Sequence, residues 1–301
     1  MIRPAYDPAV QAVLIVNPFS TNVTEQRVRL VEEVLAPELT LLTEHPGHAT
    51  ELAAAAEVEA VVVFGGDGSA NEVLNGLGPD TVVGLLPGGG TSVTARTLGL
   101  PRDPVAAARQ VADALEQERT RRISLGRVNG RRFGFGAGIG FTAELVRRVD
   151  ALGRADDGRR PGDIAYLRTV ATLVGSRAAR FGPTLDVSGL GRAAFAVVAN
   201  CDPYTYLGSL PVHVAPEARF ELGLDLVAPV KVGPTDVPRL LRYLFTGRGQ
   251  IGAGDIRHAH DLDRIEVRCD RLLPLQADGE DLGDVEEAVF EAERGAVSVL
   301  I

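Results

Sequence analysis

Over the first 120 residues, short apolar runs alternate with amphipathic stretches. Residues 12–16, 39–42, 60–64 and 82–86 are near-continuous apolar runs of strand length, the pattern of strands covered on both faces. Between and after them the spacing predicts helices near residues 25–35, 49–55, 70–77, 93–98 and 104–116. Asp103 followed by Pro104 supplies an N-cap and a proline at the first helical position, so the last of these helices has a defined start. Strands bracketed by helices read as an α/β domain with a doubly wound parallel sheet.

Past residue 121 the pattern turns β-rich. Runs at 123–128 and 132–137 flank Asn129-Gly130, a strong hairpin signal. Further runs lie at 195–200, 224–227, 264–269 and 275–278, with helices expected near 143–151, 164–177 and 237–245. A boundary near Arg121 therefore separates an α/β domain, residues 1–121, from a mostly antiparallel β domain, residues 122–301. The extreme C-terminus is free to return to the first domain.

Composition narrows the chemistry. The chain has 301 residues, 45 % of them apolar, with 31 basic against 40 acidic side chains and a net charge of −9. That suffices for two cores and excludes a disordered chain. No apolar stretch approaches the roughly 18 residues of a membrane span, and residues 1–12 lack signal-peptide architecture, so a cytoplasmic protein is expected. Cys201 and Cys269 match no disulfide framework or metal motif and read as inert thiols. Lys231 is the single lysine, and no Walker A loop or protein-kinase lysine motif surrounds it. The five histidines form no zinc pattern, His258 and His260 read as surface positions, and no G-x-S-x-G elbow is present. From Arg119 to Arg180 there are 14 arginines against 5 acids. This block reads either as a contact for an anionic headgroup or membrane surface, or as a solvated helical face. Nucleic acid is not expected as a partner of so acidic a chain.

The informative segment is the buried-strand run at 61–64 leading into Gly65-Gly66-Asp67-Gly68-Ser69 and a helix. Three glycines in four positions let main-chain N–H groups approach an anion, and the helix N-terminus adds its dipole. Asp67 among those donors would repel phosphate unless a cation bridged them, which points to Mg²⁺ bound with a nucleotide. Ser69-x-x-Glu72 reads as a capping box. A second glycine run, Gly88-Gly89-Gly90-Thr91-Ser92, follows the next strand, with Thr91 or Ser92 as the expected cap. With Asn17 and Thr43 at the ends of the first two strands, four loops gather at the carboxyl edge of one sheet, where open α/β sheets bind ligands. The literal G-x-G-x-x-G at 247–252 follows a helix and reads as a loop.

These residues resemble the diacylglycerol kinase catalytic-domain family of bacterial lipid kinases. The likeness runs through Asn17-Pro18, the segment 43–52, Gly65 to Ser69 with Asn71-Glu72 and Asn75-Gly76, then Gly138 to Ala143, Asn200, Ala215 to Ala218, Gly223 to Asp225 and Asp278-Gly279-Glu280. The resemblance implies a nucleotide-binding α/β domain, a β-sandwich lipid-substrate domain and transfer of the γ-phosphoryl group of ATP to a lipid hydroxyl. It assigns ATP and Mg²⁺ to Asp67 and the glycine loop, with Asn17, Thr43, Gly65, Gly66, Gly68, Ser69, Gly89, Gly90 and Thr91 around the nucleotide. Glu280 becomes the general base, and a structural Mg²⁺ maps near Glu221 and Asp225, with glutamate where aspartate is more usual. Where many relatives read Gly-Thr-Gly-Asn-Asp-Phe-Ala-Arg, this chain has Gly90-Thr91-Ser92-Val93-Thr94-Ala95-Arg96. The alternatives are an NAD kinase-like phosphotransferase and an inactive nucleotide- or lipid-binding homologue. The identity of the lipid and a homodimer are left open.

Overall fold

Four parallel strands build the first half: β1 (Ala12–Val16), β2 (Leu39–Leu42), β3 (Ala60–Gly65) and β4 (Val82–Pro87), side by side in the order β2-β1-β3-β4. Every residue of β1 and β3 is buried, as their unbroken apolar runs require. The cover comes from helices α1 (Glu25–Leu35), α2 (His48–Ala55), α3 (Asp67–Gly76), α4 (Val93–Thr97) and α5 (Pro104–Glu116). Asp103 caps α5, its carboxylate accepting the Ala106 N–H at 2.8 Å. The computed structural model describes residues 12–78, 80–151 and 181–301; the helix expected near 164–177 lies outside the described residues.

The second half opens with β5 (Thr120–Val128), β6 (Arg131–Phe133), β7 (Gly136–Ile139) and α6 (Phe141–Ala151). Asn129 and Gly130 both take positive φ, 47° and 91°, so the expected hairpin forms. The run read as one strand at 132–137 is two, because Gly134 and Phe135 leave the ladder. Short strands β8 (Leu185–Val187) and β9 (Gly191–Ala193), β10 (Ala196–Ala199) and the hairpin β11 (Thr205–Leu207)–β12 (Leu210–Val212) follow. Then come β13 (Leu224–Pro229), α7 (Val237–Thr246) and β14 (Ile256–Leu262). The last two strands are long: β15 (Arg264–Ala277), which joins two expected runs across a register shift, and β16 (Glu280–Leu300).

β16 was not legible as a strand. It pairs antiparallel with β15 and β5, and its end runs parallel to β4, Ser298 opposite Val82 and Val299 opposite Val83. One sheet thus passes through both halves, and Val297, Val299 and Leu300 belong to the core of the first. A second core lies between β5, β6 and β16 on one side and β7, β10 and β13 on the other, with Phe133, Ile139, Leu224 and Phe290 fully buried.

Close helix packing sets one testable constraint. A Cβ on Gly76, the last residue of α3, would lie 2.2 Å from the Thr50 carbonyl oxygen on α2. Helix propensity favours alanine there by about 1 kcal/mol. Overpacking against rigid backbone wins, so Gly76→Ala is expected to destabilise by about 1–3 kcal/mol, read as a lowered urea midpoint at unchanged slope.

Candidate functional site

β3 delivers Gly65 to the carboxyl edge of the sheet, and Gly66, extended at φ −87° and ψ −176°, ends the strand. α3 then begins at Asp67, three residues earlier than its apolar spacing indicates. The capping box does not form, since Ser69 already sits in the first turn. Its hydroxyl accepts a hydrogen bond from Asn17 Nδ2 at 2.8 Å, fixing the end of β1 against the loop. Glu72 instead serves α2, where its Oε2 accepts the Ala49 N–H at 3.1 Å. The first intrahelical bond of α3 runs from Ala70 N–H to Gly66 O, so the N–H groups of residues 67–69 precede the ladder and face the carboxyl edge.

The two glycine runs explain each other. A Cβ on Gly88 would lie 2.9 Å from Gly65 Cα, and one on Gly89 would lie 2.8 Å from Gly66 Cα. The loops pack backbone to backbone, joined by Gly88 N–H to Gly65 O at 2.7 Å, and only glycine permits that approach. Gly88 and Gly89 are therefore required by loop packing and Gly65 by the Ser69 side chain 2.7 Å from its Cβ position, whereas a Cβ on Gly66 would make ordinary contact at 3.5 Å; Gly68 and Gly90 border the space beyond. Gly90 has nothing within 4 Å of its Cβ position. Asn22 bonds Gly89 O through Nδ2 at 2.8 Å, and Ser20 Oγ accepts the Gly66 N–H at 3.2 Å, so the loop after β1 braces both runs. Thr43 is buried just past the end of β2, its N–H on Val16 O, and Thr91 is half-buried.

A small pocket beside the runs is lined by Gly66, Asp67, Ser92 and Thr94 and by apolar Val63, Leu85 and Leu86. Asp67 Oδ1 accepts the Thr94 main-chain N–H at 3.2 Å. The absence of asparagine and aspartate from 92–96 thus leaves Asp67 oriented by backbone. Ser92 is the N-cap of α4 in position but not in bonding: at φ 48° its hydroxyl reaches Gly89 O, 3.3 Å away.

The remote acid arrives from the other half of the chain. Asp278 and Gly279, at φ 48° and 77°, make the two-residue turn between β15 and β16, and Ala277 pairs with Glu280 across it. Buried Asp278 accepts three main-chain N–H groups, from Gly134 at 2.6 Å, Phe135 at 2.9 Å and Gly136 at 3.1 Å, and a fourth bond from Asn71 Nδ2 at 2.8 Å. Burial pushes its carboxyl up from the ordinary value while these donors oppose the shift. The turn is thereby tied to α3, and Glu280 comes to rest at the glycine loop: a Cβ on Gly68 would stand 3.0 Å from Glu280 Oε1. Arg131 forms an ion pair with Glu280 Oε2 and donates to Asn71 Oδ1 at 3.1 Å. Asn75 adds a further tie, accepting the Arg132 N–H at 3.0 Å.

Glu280 is thus brought to Gly68, the residue after Asp67. Glu221 and Asp225 are not part of this site. Glu221 is ion-paired with Arg121. Asp225, fully buried, accepts from His260 Nδ1 at 2.9 Å and from Asp261 N–H at 3.0 Å, and this bond raises the His260 pKa. His260 is solvent-exposed, as expected, with its Nδ1 held on Asp225, whereas His258 is half-buried. Asp67 at a helix N-terminus suits a hard cation shared with phosphate, while Glu221 is engaged with Arg121 and Asp225 with His260 and the Asp261 N–H. Among the described residues, the side chains whose ligand atoms cluster within 4.8 Å are His45, His48 and Glu51. There His48 Nδ1 accepts the Glu44 N–H at 3.0 Å. Burial raises both thiols, Cys269 to about 11, in keeping with inert cysteines.

Sequence reading missed Arg131 and the anchoring roles of Asn71, Asn75 and Asp278. The Asn129-Gly130 turn places Arg131 at the head of a strand, but only the packing of α3 on β6 shows what it faces.

Residues 11–128 match the family model of the diacylglycerol kinase catalytic domain. The chain is 41 % identical over 105 residues to a diacylglycerol kinase of Bacillus subtilis (strain 168), covering 34 % of each protein. It is 36 % identical over 208 residues to a diacylglycerol kinase of Mycobacterium tuberculosis (strain ATCC 25618 / H37Rv), covering 66 % of this chain and 64 % of the relative. The chain thus spans less than two thirds of the length of these curated relatives. In fold it resembles a diacylglycerol kinase from Bacillus anthracis str. Sterne, with a TM-score of 0.69 at 22 % identity over 96 % of both chains. An NAD kinase from Archaeoglobus fulgidus, solved in complex with ATP, gives a TM-score of 0.52 at 14 % identity over 97 % of this chain and 94 % of that one. These likenesses agree with a parallel-sheet first domain and a β-rich second one. Through residues 11–128 this chain matches the diacylglycerol kinase catalytic-domain family.

Proposed function

We propose that the protein is an ATP- and Mg²⁺-dependent lipid kinase that phosphorylates a diacylglycerol-like hydroxyl at a membrane surface. The observation that carries this reading is the Glu280 carboxylate beside Gly68, at a glycine-bordered helix N-terminus supplied by the other half of the chain. Phosphoryl transfer asks for positioning, charge neutralisation and one carboxylate to receive a proton. The N–H groups of residues 67–69 and the open backbone at Gly90 are the donors for a triphosphate. Asp67, oriented by Thr94 N–H, would hold Mg²⁺, which supplies neutralisation of the phosphate charge when bound. Glu280 takes the proton of the lipid hydroxyl as its oxygen bonds to the γ-phosphorus and the bond to the bridging oxygen breaks, leaving ADP. With Lys231 the only lysine, Arg131 is the cation that stands at Glu280.

Incubation with labelled ATP, Mg²⁺ and mixed bacterial lipids is expected to give a labelled lipid. Asp67→Ala should lower that turnover by at least about a hundredfold. Full activity of the variant would remove Asp67 from the mechanism. The fold likeness to an NAD kinase makes NAD the control acceptor, and labelling of NAD with no lipid product would replace this reading.

A further inference from the structure

Four of the exposed large apolar side chains among the described residues belong to one neighbourhood of the second half: Leu210 (58 %), Leu241 (44 %), Phe245 (44 %) and Ile251 (41 %). Helix α7 reads VPRLLRYLFT, and its one buried residue, Tyr243, packs into a small core with Ala215, Val227 and Ile256. Leu241 and Phe245, four apart, share the face across the helix from Tyr243. Gly247 in the left-handed region closes the helix, after which the chain presents Arg248 and Ile251. β12 packs against α7, with His213 N–H on Leu244 O at 2.7 Å, and Leu210 is the first residue of that strand. The same hairpin reaches α4, the helix after the second glycine loop: Arg96 stacks 3.5 Å over the Tyr206 ring and donates to Gly208 O at 3.1 Å and to Thr91 O at 3.4 Å. The apolar face therefore adjoins the rim of the candidate site.

Charge says what such a face suits. Residues 237–254 hold Arg239, Arg242 and Arg248 and no acid. Arg239 is neutralised by Asp255 at 2.9 Å, whereas Arg242 and Arg248 have no ion pair among the described residues. An amphipathic helix with exposed leucine and phenylalanine flanked by uncompensated arginine matches an anionic lipid surface. Of the exposed apolar pair on edge strand β2, Leu39 and Leu42, the first sits beside Glu38 and Glu57 in a groove that an anionic surface would repel. Nor do the eight described arginines of the 119–180 block serve: Arg121, Arg127, Arg131, Arg132, Arg147 and Arg148 are ion-paired within the protein, and Arg119 and Arg122 donate to the carbonyl oxygens of Ile301 and Gly295.

We propose that the outer face of α7, with Leu210 and Ile251, is the surface on which the protein lies against an anionic bilayer. Leu241 and Phe245 enter the acyl boundary, and Arg242 and Arg248 meet headgroup phosphates. The inference rests on the lipid-kinase reading for its biological sense but is tested separately from it. The full chain is sedimented with phosphatidylcholine vesicles, with and without phosphatidylglycerol, at low and high salt. The wild type should bind the anionic vesicles and be released by salt. Leu241→Ser with Phe245→Ser should weaken binding about tenfold or more through lost apolar burial. Arg242→Glu with Arg248→Glu should weaken it by at least as much and remove the salt dependence. Both variants should keep the wild-type thermal shift with Mg·ATP, which reports the nucleotide site and an intact fold. Vesicle binding by the wild type without lipid phosphorylation would leave this surface standing and sink the kinase reading. Phosphorylation of lipid in detergent micelles without vesicle binding would do the opposite. Unchanged binding in both variants overturns the proposal, as does a wild type that ignores vesicles but loses a dimer, by light scattering, when Leu241 and Phe245 are replaced.

Discussion

Glutamine in place of Glu280 is expected to lower lipid phosphorylation by about a thousandfold while moving nucleotide affinity by no more than about twofold. The variant keeps the size of the side chain and its place on the β15–β16 hairpin, which is set by Asp278 and not by Glu280 itself. What it removes is the group able to receive the hydroxyl proton. It also removes the anion facing Arg131, leaving that guanidinium with Asn71 Oδ1 as its partner at this end of the site. Phosphate binding should tighten slightly, if at all, because a negative charge beside Gly68 has gone. The informative measurement is therefore the split: single-turnover rate against the dissociation constant for Mg·ATP by calorimetry. Equal losses in both would mean that Glu280 holds the nucleotide rather than acting on the acceptor. A rate within tenfold of wild type would place the proton acceptor elsewhere.

How much of this was readable beforehand follows from where each piece of information resides. β1 to β4 and α5 were legible because local pattern determines them: unbroken apolar runs for doubly covered strands, and Asp103-Pro104 for a helix start. The start of α3 was not, because the residues that open it, Asp67-Gly68-Ser69, carry no apolar spacing and imitate a cap. β16 escaped for a related reason. Glu280, Asp281, Asp284, Glu286, Glu287, Glu291 and Glu293 depress its strand propensity, and the compensation is across the sheet, where Arg127 and Arg132 pair with Glu293 and Arg264 with Glu291. The glycines were noticed, but their division of labour was not. Only the approach of Gly88 and Gly89 to Gly65 and Gly66 tells packing glycines from the two that border the ligand space. Likewise Asp67 and Glu280 could be paired by resemblance, but nothing linear reveals that Asn71 and Asp278, 207 positions apart, tie the Glu280 turn to α3.

That last contact predicts the largest effect on stability. Asp278→Ala should destabilise the protein by about 3–5 kcal/mol, since it leaves four donors, three of them main-chain, buried without an acceptor. The gain from no longer burying a carboxylate offsets part of this, which is why the figure falls short of four full desolvation penalties. Alanine is also poorly suited to the left-handed conformation at φ 48°. Asp278→Asn separates the contributions. Asparagine tolerates that backbone and keeps one acceptor oxygen, but turns an NH₂ group toward N–H donors, so a smaller loss of about 2 kcal/mol is expected. Urea unfolding of both variants checks the order, and hydrogen exchange at Gly134, Phe135 and Gly136 checks the place, with protection falling there first. Because the same turn carries Glu280 to Gly68, the asparagine variant should also lose turnover at temperatures where it remains fully folded. If alanine costs less than about 1 kcal/mol, or if exchange at those three amides is unchanged, the turn is held by other contacts and Asp278 is not what delivers Glu280 to the glycine loop.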